Sequence, residues 1–419
     1  MESNTVLYKP LGELIDLLTD YHANGAYEKL KENVTLLDKE SHAVMIRTTN
    51  FEANDFTNNL IYIDEHAYEF LKKSKVYASD LIMNKIANPG TVYFMPEISK
   101  PVSLGMNLFL IRIDPKKANP YFIYAYLRKN EHYVKSFASG STTKTITKDD
   151  VRRLKIYTPP LAEQNKIAKV LSTWDQAIST TEKMLENSHQ QKKALMQQLL
   201  TGKKRLLDEN GEKFSGEWNE YSLGNLGNTF TGLTGKTKDD FGSGVPYITY
   251  MNIFKNSRID INQVDYVVIK EDENQNSVRY GDIFFTTSSE TAEEVGMSSV
   301  LLEEVERLYL NSFCFGFRLN NFKVLLPQFA AYILRSSNIR KQISILGQGA
   351  TRYNLSKNQL MKLILKLPTI AEQKKIAEIL TLSDQEIETL QKKLNCLKRE
   401  KKSLMQQLLT GKKRVKVAA

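Results

Sequence analysis

The stretch MQQLLTGKKR occurs twice in this chain, at residues 196–205 and again at residues 405–414, 209 positions later. The same offset extends the match backwards. The tripeptide AEQ at 162–164 recurs at 371–373, and the dipeptide DQ at 175–176 recurs at 384–385. A repeat period this long exceeds that of solenoid proteins, so the pattern indicates duplication of a large unit.

Both copies of this stretch carry apolar residues on a seven-residue pattern. Such a sustained heptad pattern predicts a long coiled-coil helix. A proline precedes each copy (Pro160, Pro368), and a glycine that can adopt the left-handed C-cap conformation follows each (Gly202, Gly411). The predicted seam residues are Ile167, Leu171, Ile178, Leu185, Leu195 and Leu199 in the first copy, and Ile376, Leu380, Ile387, Leu394, Leu404 and Leu408 in the second.

Two helices with one apolar seam each are predicted to pair with each other. Lys192 and Lys401 interrupt the seam at matching places. Polar seam positions can fix the register of a coiled coil at a cost in stability, or they can lie where the ends fray into solvent. The pattern leaves both readings open, and it leaves the parallel or antiparallel orientation of the helices open too.

The segments outside the helices repeat as well, although more weakly. LGEL at 11–14 matches LGNL at 223–226, and IRTTN at 46–50 matches ITYMN at 248–252. The predicted organisation is a domain at 1–158, a helix at 159–203, a linker at 204–217, a second domain at 218–366, a helix at 367–411 and a basic tail at 412–419. Predicted strands lie at 107–113, 244–253, 280–287 and 308–319, and predicted helices at 120–129 and 326–337. Their irregular mixture favours an α+β class.

Composition and charge point to a globular protein with a polyanionic partner. The 419 residues are 41% hydrophobic and 25% charged, with a formal net charge of +10. Nucleic acid is the first candidate partner and an acidic membrane surface the second. No signal peptide or membrane-spanning run is visible, and the two distant cysteines suit a reducing compartment, so a cytoplasmic location is predicted.

Candidate catalytic motifs in the sequence are incomplete. Gly235, Lys236 and Thr237 resemble the end of a phosphate-binding loop, but the earlier glycine of that motif is missing. The tetrapeptide NPYF at 119–122 is better explained as a helix start. Asp80 and Asp282 match each other and are interpreted as turn residues. No histidine–cysteine cluster has metal-ligand spacing, so no catalytic residue, metal or cofactor is predicted in this chain.

Two loops just before the helices give the strongest binding signal, at residues 138–154 and 347–363. Small, hydroxyl-bearing and basic residues are suited to phosphate contacts, whereas tyrosine and asparagine can reach base edges. A plain solvated loop is the alternative. The predicted DNA contacts are Arg47, Thr48, Asn50, Ser141, Thr142, Thr143, Lys144 and Lys148 in the first half, and Tyr250, Asn252, Thr351, Arg352, Tyr353, Asn354 and Lys357 in the second.

The helical repeats PPLAEQNKIAKVLSTWDQAI and LPTIAEQKKIAEILTLSDQEI, each leading to LMQQLLTGKKR, resemble the two conserved regions of the specificity subunit of type I restriction–modification systems. That resemblance implies two target recognition domains with twisted β-sheets and small helices. They would be held apart by two long helices in an antiparallel coiled coil, with pseudo-two-fold symmetry. The second loop departs from the family pattern because it lacks the Ser-Thr-Thr run.

The resemblance also implies a function. The chain would be non-catalytic and would bind double-stranded DNA at a bipartite site, one half per domain, with the helices as a spacer ruler and no membrane contact. Two modification subunits would bring S-adenosylmethionine and methylate adenine, and restriction subunits would bring ATP and Mg. The alternatives are a coiled-coil scaffold that binds no DNA, a fused methyltransferase, and a recognition subunit of another phage-defence complex.

Overall fold

The computed structural model describes residues 8–349 and 352–416. The chain forms two compact units, one from residues 1–182 with 392–419 and the other from residues 183–391. Each unit therefore contains one of the duplicated domains and a half of each long helix. The predicted domain boundaries remain predictions, because each compact unit draws on both halves of the sequence.

The first unit is built on two four-stranded sheets. One is antiparallel, with its strands in the order 15–20, 108–113, 81–84 and 92–94; the other, in the order 61–63, 43–46, 102–104 and 75–76, contains a parallel pair between residues 43–46 and 102–104. Its strands are β1 (Tyr8–Pro10), β2 (Ile15–Asp20), β3 (Ala43–Ile46), β4 (Ile61–Ile63), β5 (Lys75–Val76), β6 (Leu81–Asn84), β7 (Val92–Phe94), β8 (Val102–Leu104), β9 (Leu108–Ile113) and β10 (Lys155–Tyr157). Its helices are α1 (Tyr27–Asn33), α2 (Thr48–Glu52), α3 (Glu65–Phe70), α4 (Pro120–Lys129), α5 (Glu131–Lys135), α6 (Lys148–Arg153) and the first part of α7 (Leu161–Leu199).

The second unit repeats this plan. Its antiparallel sheet has its strands in the order 227–231, 314–319, 283–286 and 298–300; its mixed sheet, in the order 264–267, 241–248 and 309–310, again contains a parallel pair, between residues 241–248 and 309–310. The strands are β11 (Asn219–Ser222), β12 (Gly227–Thr231), β13 (Phe241–Ile248), β14 (Val264–Val267), β15 (Ile283–Thr286), β16 (Ser288–Ser289), β17 (Ser298–Val300), β18 (Tyr309–Leu310), β19 (Cys314–Leu319), β20 (Gly347–Gln348), β21 (Tyr353–Leu355) and β22 (Ile364–Leu367). The helices are α8 (Leu223–Leu226), α9 (Tyr250–Lys255), α10 (Pro327–Ile333), α11 (Ser337–Leu346), α12 (Lys357–Leu360) and the first part of α13 (Ile370–Leu408).

These elements confirm the α+β class and the internal duplication. Helix α4 begins at Pro120, with the side chain of Asn119 accepting a hydrogen bond from the backbone nitrogen of Phe122 at 3.0 Å, as a helix start requires. Two strand predictions were wrong in part: the predicted strand at 308–319 is two strands, β18 and β19, in different sheets, and the predicted strand at 244–253 ends at Ile248. The Thr249 hydroxyl accepts from the backbone nitrogen of Asn252 at 3.2 Å, and this N-cap starts α9 instead.

The two long helices run antiparallel within each unit. In the first unit, side chains of α7 at positions 163, 175 and 182 form ion pairs with Arg414, Lys401 and Lys398, so partner numbers fall as helix numbers rise. In the second unit, positions 192 and 205 form ion pairs with Asp384 and Glu372, so partner numbers fall there too. The helices α7 and α13 are 39 residues long each and lie inside the predicted ranges 159–203 and 367–411.

The outer ends of the predicted seam are buried in the domain cores. The core of the first unit includes Ile167, Leu171 and Leu408, which pack with sheet and helix residues, and that of the second includes Leu199, Ile376 and Leu380. Leu195 and Leu404 pack against these cores and are partly buried. Nearer the helix centres Leu394 is 5% exposed, while Ile178, Leu185 and Ile387 are half-buried. The helices are thus part of each domain as well as of a coiled coil.

The last residue of each repeated decapeptide closes an ion pair on the other copy. Arg205 donates to both carboxylate oxygens of Glu372, at 2.6 and 2.7 Å, and Glu372 is fully buried. At the equivalent place Arg414 donates to Glu163 at 2.8 and 2.7 Å, and Glu163 is 4% exposed. We call these two pairs the arginine latches. Each latch joins the start of one helical repeat to the end of the other.

The glycines of the decapeptide end the helices as predicted. Gly202 and Gly411 have φ values of +70° and +71°, in the left-handed region. Two residues later, the backbone nitrogens of Lys204 and Lys413 donate to the carbonyls of Gln198 and Gln407, both at 3.1 Å. These turns satisfy helix carbonyls and turn the chain so that the arginine reaches its glutamate.

No helix within residues 8–349 and 352–416 combines the length and apolar character that a membrane span requires.

Candidate nucleic-acid interface

A tight glycine turn occupies the same place in both units. In the first, residues Ser139 and Thr145 exchange two backbone hydrogen bonds of 2.9 Å around the turn. In the second, β20 and β21 form the equivalent hairpin. Gly140 and Gly349 have φ values of +125° and +141°, and a Cβ on either would lie within 2.3 Å of a carbonyl oxygen across the turn. Glycine is therefore required at both positions, which are separated by the same 209 residues as the decapeptides.

Each turn is fixed to the end of a strand of its sheet. The backbone nitrogen of Ile146 donates to the carbonyl of Lys85 at 3.2 Å, just after β6. The backbone nitrogen of Leu355 donates to the carbonyl of Thr287 at 2.8 Å, just after β15. Because β6 and β15 are equivalent strands, the two turns are presented by equivalent frameworks.

The side chains at the two turns are exposed but chemically different. In the first turn the predicted contacts Ser141, Thr142, Thr143 and Lys144 are all exposed. In the second, Arg352 and Asn354 are exposed and Tyr353 is half-buried, while Thr351 lies outside the described residues. At the position of Thr143 the second turn has Arg352. The two turns therefore have the same backbone framework but present different side chains to a ligand.

Lys148 is already paired in the structure. Its ammonium lies 3.2 Å from one oxygen of Asp20, and that of Lys85 lies 3.3 Å from the other. Burial tends to raise the pKa of Asp20, but hydrogen bonds and charge from the two lysines outweigh it and hold the pKa below its usual value. The equivalent Lys357 is half-buried, with its ammonium 5.5 Å from the centre of the Phe315 ring.

A second predicted segment in each unit lies beside the turn. The Thr48 hydroxyl donates to the Asn84 side chain at 3.1 Å, next to Lys85, which anchors the first turn. The Tyr250 hydroxyl donates to the Ser288 carbonyl at 2.8 Å, and Ser288 is paired with Asn354 in the second hairpin. The structure thus brings together segments that are distant in sequence. Arg47 is half-buried, and its guanidinium donates to the Asn59 carbonyl at 3.3 Å.

The side chains of Asn50 and Asn252 are buried within the fold and are not part of the candidate interface. They are 4% and 2% exposed. Asn50 accepts from the Arg47 backbone nitrogen at 3.0 Å and donates to the Asp55 carbonyl. Asn252 donates to the carbonyls of Asp260 and Gln263, both at 2.8 Å. Their polar atoms fasten the loop that follows a short helix, so these two side chains are not available to DNA.

In the second unit the turn opens into a cleft of about 390 Å³. Its lining includes the predicted residues Tyr250 and Arg352 together with Phe313, Glu290 and Glu294. The last three were not predicted, and Phe313 is 69% exposed. Phe313 lies in the turn between β18 and β19, and an aromatic residue in a turn leaves no periodic signal in a sequence.

Two arginines hold the frame of this cleft. Arg335 donates to the carbonyls of Ile253, Phe254 and Asn256 at the end of α9, at 2.6, 3.1 and 2.7 Å, and to Ser298. Burial, with a smaller contribution from the charge of Arg340, lowers the pKa of Arg335 to about 10. Arg340 likewise donates to three carbonyls between residues 293 and 296. The segments that carry Tyr250 and Glu294 are therefore held by arginine side chains.

Asp80 and Asp282 are turn residues, as predicted, and each also receives an arginine. Asp80 accepts from the backbone nitrogen of Tyr77 at 2.8 Å and from two nitrogens of Arg112 at 2.8 and 2.7 Å. Asp282 has the equivalent bonds to Arg318, at 2.8 and 2.6 Å. These carboxylates serve the sheets. Within the described part of the chain no cluster of histidine, cysteine and acidic residues has the geometry of a metal site.

Comparison with known proteins identifies the family. The model of the type I restriction modification DNA specificity domain matches residues 16–187 and again residues 215–399. The chain belongs to this family. The duplicated match agrees with the duplication seen in the two units, and it confirms the resemblance carried by the helical repeats.

Individual specificity subunits resemble the chain over most of its length. It is 29% identical over 392 residues to the putative type I restriction enzyme MjaX specificity subunit of Methanocaldococcus jannaschii, covering 88% of this chain and 87% of that protein. It is 26% identical over 353 residues to the MjaVIII specificity subunit of the same organism, covering 79% and 78%. The crystal structure of the S subunit of a type I restriction–modification system from M. genitalium aligns over 98% of both chains with a TM-score of 0.59 and 17% identity, which supports the fold.

Proposed function

We propose that this chain is the non-catalytic, DNA-reading subunit of a type I restriction–modification complex. Each unit binds one half of a bipartite site on double-stranded DNA through the face that carries its glycine turn. Membership of the specificity family supports this role. The observation that carries it is the pair of turns: Gly140 and Gly349 build the same framework, whereas Thr143 and Arg352 present different chemistry at the same place.

We further propose that the helices α7 and α13 set the spacer between the half-sites. A helix of 39 residues is about 60 Å long, which is close to two turns of B-DNA. The repeated features of the helices, including the arginine latches, give two modification subunits equivalent docking places. Those subunits bind S-adenosylmethionine and methylate adenine, and restriction subunits bind ATP and Mg. The assembly works in the cytoplasm without a membrane.

Methylome sequencing of a host with and without this chain tests the proposal. The expected result is one bipartite adenine-methylated motif that disappears when the chain is deleted and returns when it is restored. An unchanged methylome in a host with active partner subunits would contradict the proposal. The motif would also give the two half-sites and the length of the spacer.

DNA binding at increasing salt separates a reader from a coiled-coil scaffold. Phosphate contacts release counterions, so binding by a reader weakens steeply as salt rises. The complex of the chain with its modification subunits should shift a duplex carrying the motif at low salt and lose it at high salt. Absence of binding at every salt concentration would favour the scaffold.

A further inference from the structure

Arg352 lies where its guanidinium is free to bind a ligand. It is the last residue of the second glycine turn before β21, it is exposed, and it lines the cleft with Tyr250 and Phe313. No described residue accepts a hydrogen bond from its side chain. The planar guanidinium carries donors in a fixed fork, which suits either a phosphate or the edge of a guanine base.

The surroundings of Arg352 disfavour a phosphate. Two carboxylates, Glu290 and Glu294, line the same cleft, and both are exposed. A phosphate that entered the cleft would bring its negative charge towards both of them. The edge of a base carries no net charge, so the carboxylates do not repel it. They can also accept a hydrogen bond from the amino group of a cytosine.

The cleft has aromatic side chains in its lining, as a base-reading site needs. The Tyr250 hydroxyl is bonded to the Ser288 carbonyl, and the ring of Tyr250 stacks on that of Phe254 with centroids 5.9 Å apart. Arg335 donates to carbonyls at the end of α9, the helix that carries Tyr250, and Arg340 donates to carbonyls next to Glu294. Arg352 thus lines a cleft in which the segments of Tyr250 and Glu294 are held by hydrogen bonds, and it does not lie on an open basic surface.

We propose that Arg352 reads a guanine in the half-site of the second unit and does not bind a phosphate. This inference rests on the proposed function and adds a specificity-determining residue to it. The first unit has Thr143 at the equivalent position, so this guanine contact belongs to one half-site only.

The test uses the full chain in complex with its modification subunits and duplex libraries randomised within each half-site, over a range of salt. The variants are Arg352→Ala and Arg352→Lys, and Lys144→Ala in the first turn serves as the comparison for a basic residue in the other half-site. Arg352→Lys keeps the charge but loses the fork. Both Arg352 variants should lower the preference for guanine at one position by roughly tenfold or more. They should not change the base preferences in the other half-site. The slope of log affinity against log salt concentration should also stay the same.

A phosphate contact predicts a different result. Arg352→Ala would reduce the salt slope by about one and weaken all sequences equally, and Arg352→Lys would behave nearly like the parent chain. That outcome overturns the inference while leaving the proposed function intact. A parent complex without any sequence preference would overturn both.

The carboxylates provide a second, independent measurement. Replacing both with amides, in the variant Glu290→Gln with Glu294→Gln, removes the repulsion that keeps phosphates away from Arg352. Non-specific binding at low salt should rise and its salt slope should steepen by about one. An unchanged slope in this variant would show that the carboxylates do not influence what Arg352 binds.

Discussion

At the scale of single residues, the arginine latches explain why the decapeptide is repeated. Each arginine meets a buried glutamate contributed by the other repeat, so sequence identity follows from identical surroundings. The two latches differ in exposure: the Arg205 side chain is 17% exposed and that of Arg414 is 55% exposed. Removing one partner of a buried ion pair therefore costs more stability than removing one partner of a pair that water still reaches.

Arg205→Ala should therefore destabilise the protein more than Arg414→Ala. The first variant leaves the fully buried Glu372 without its partner, at a cost of about 3 kcal/mol or more. Chemical unfolding of the full chain measures the difference, and the exposed neighbour variant Lys204→Ala serves as control. Adding Glu372→Gln to Arg205→Ala should recover part of the loss. Equal destabilisation by both arginine variants would contradict the argument from burial.

The Asp20 site predicts a pH dependence. The pKa of Asp20 is lower in the folded protein than in the unfolded chain, where it is about 4. Ionised Asp20 therefore contributes its full share to the free energy of unfolding at pH values above that unfolded value. The contribution is lost as the pH falls through the lower folded value. Asp20→Asn should thus reduce the free energy of unfolding at pH 7, and the difference from the parent should shrink below about pH 4. A difference that stays constant down to pH 3 would exclude this ionisation as its cause.

At the scale of elements, the polar seam positions of α7 and α13 prove to be ion-paired. Lys192 pairs with Asp384 and Lys401 with Asp175, each across the helix pair. Each aspartate is also bonded to a tyrosine of its own unit, Tyr332 or Tyr121. The matched pairs favour the register-fixing interpretation of these lysines over frayed ends, since an ion pair forms only when the helices are aligned.

Lys401→Ala should cost more stability than Lys192→Ala. Asp384 keeps a second cation, Arg258, 3.7 Å away, whereas no such pair is seen for Asp175 among the described residues. A double-mutant cycle between Lys401 and Asp175 should give a coupling of about 1 kcal/mol. The exposed pair Lys398 and Glu182 is the control and should give nearly zero. Coupling at the control as large as at the seam would count against a role in register.

At the scale of the whole molecule, the helices are the elements that a spacer ruler would use. Inserting one heptad at matching positions of α7 and α13 adds about 10 Å, or about three base pairs of B-DNA. The methylated motif should keep both half-sites and gain a longer spacer. An insertion in one helix alone should disturb the antiparallel pairing and reduce methylation. The same spacer in the double-insertion variant would rule out the ruler.

The sequence predicts the features of this protein that repeat along the chain, and it does not predict sites that are assembled from separate segments. The heptads and the capping glycines predicted both helices to within a few residues of their observed ends, and the repeat predicted the duplication. The cleft could not be predicted, because Tyr250, Phe313 and Arg352 come from three segments joined only by the sheets. Asn50 and Asn252 illustrate the opposite error. Their polarity suggested a ligand, yet the fold itself satisfies their hydrogen bonds.

During synthesis on the ribosome, the first unit needs residues from the last part of α13 to complete its core. Its core includes Leu408 and Leu409, which are made more than two hundred residues after the strands they pack against. The core of the domain that emerges first is therefore complete only after residues 408 and 409 have been made. A premature stop that removes residues 392–419 would damage the N-terminal domain, although it leaves that domain's own coding sequence intact.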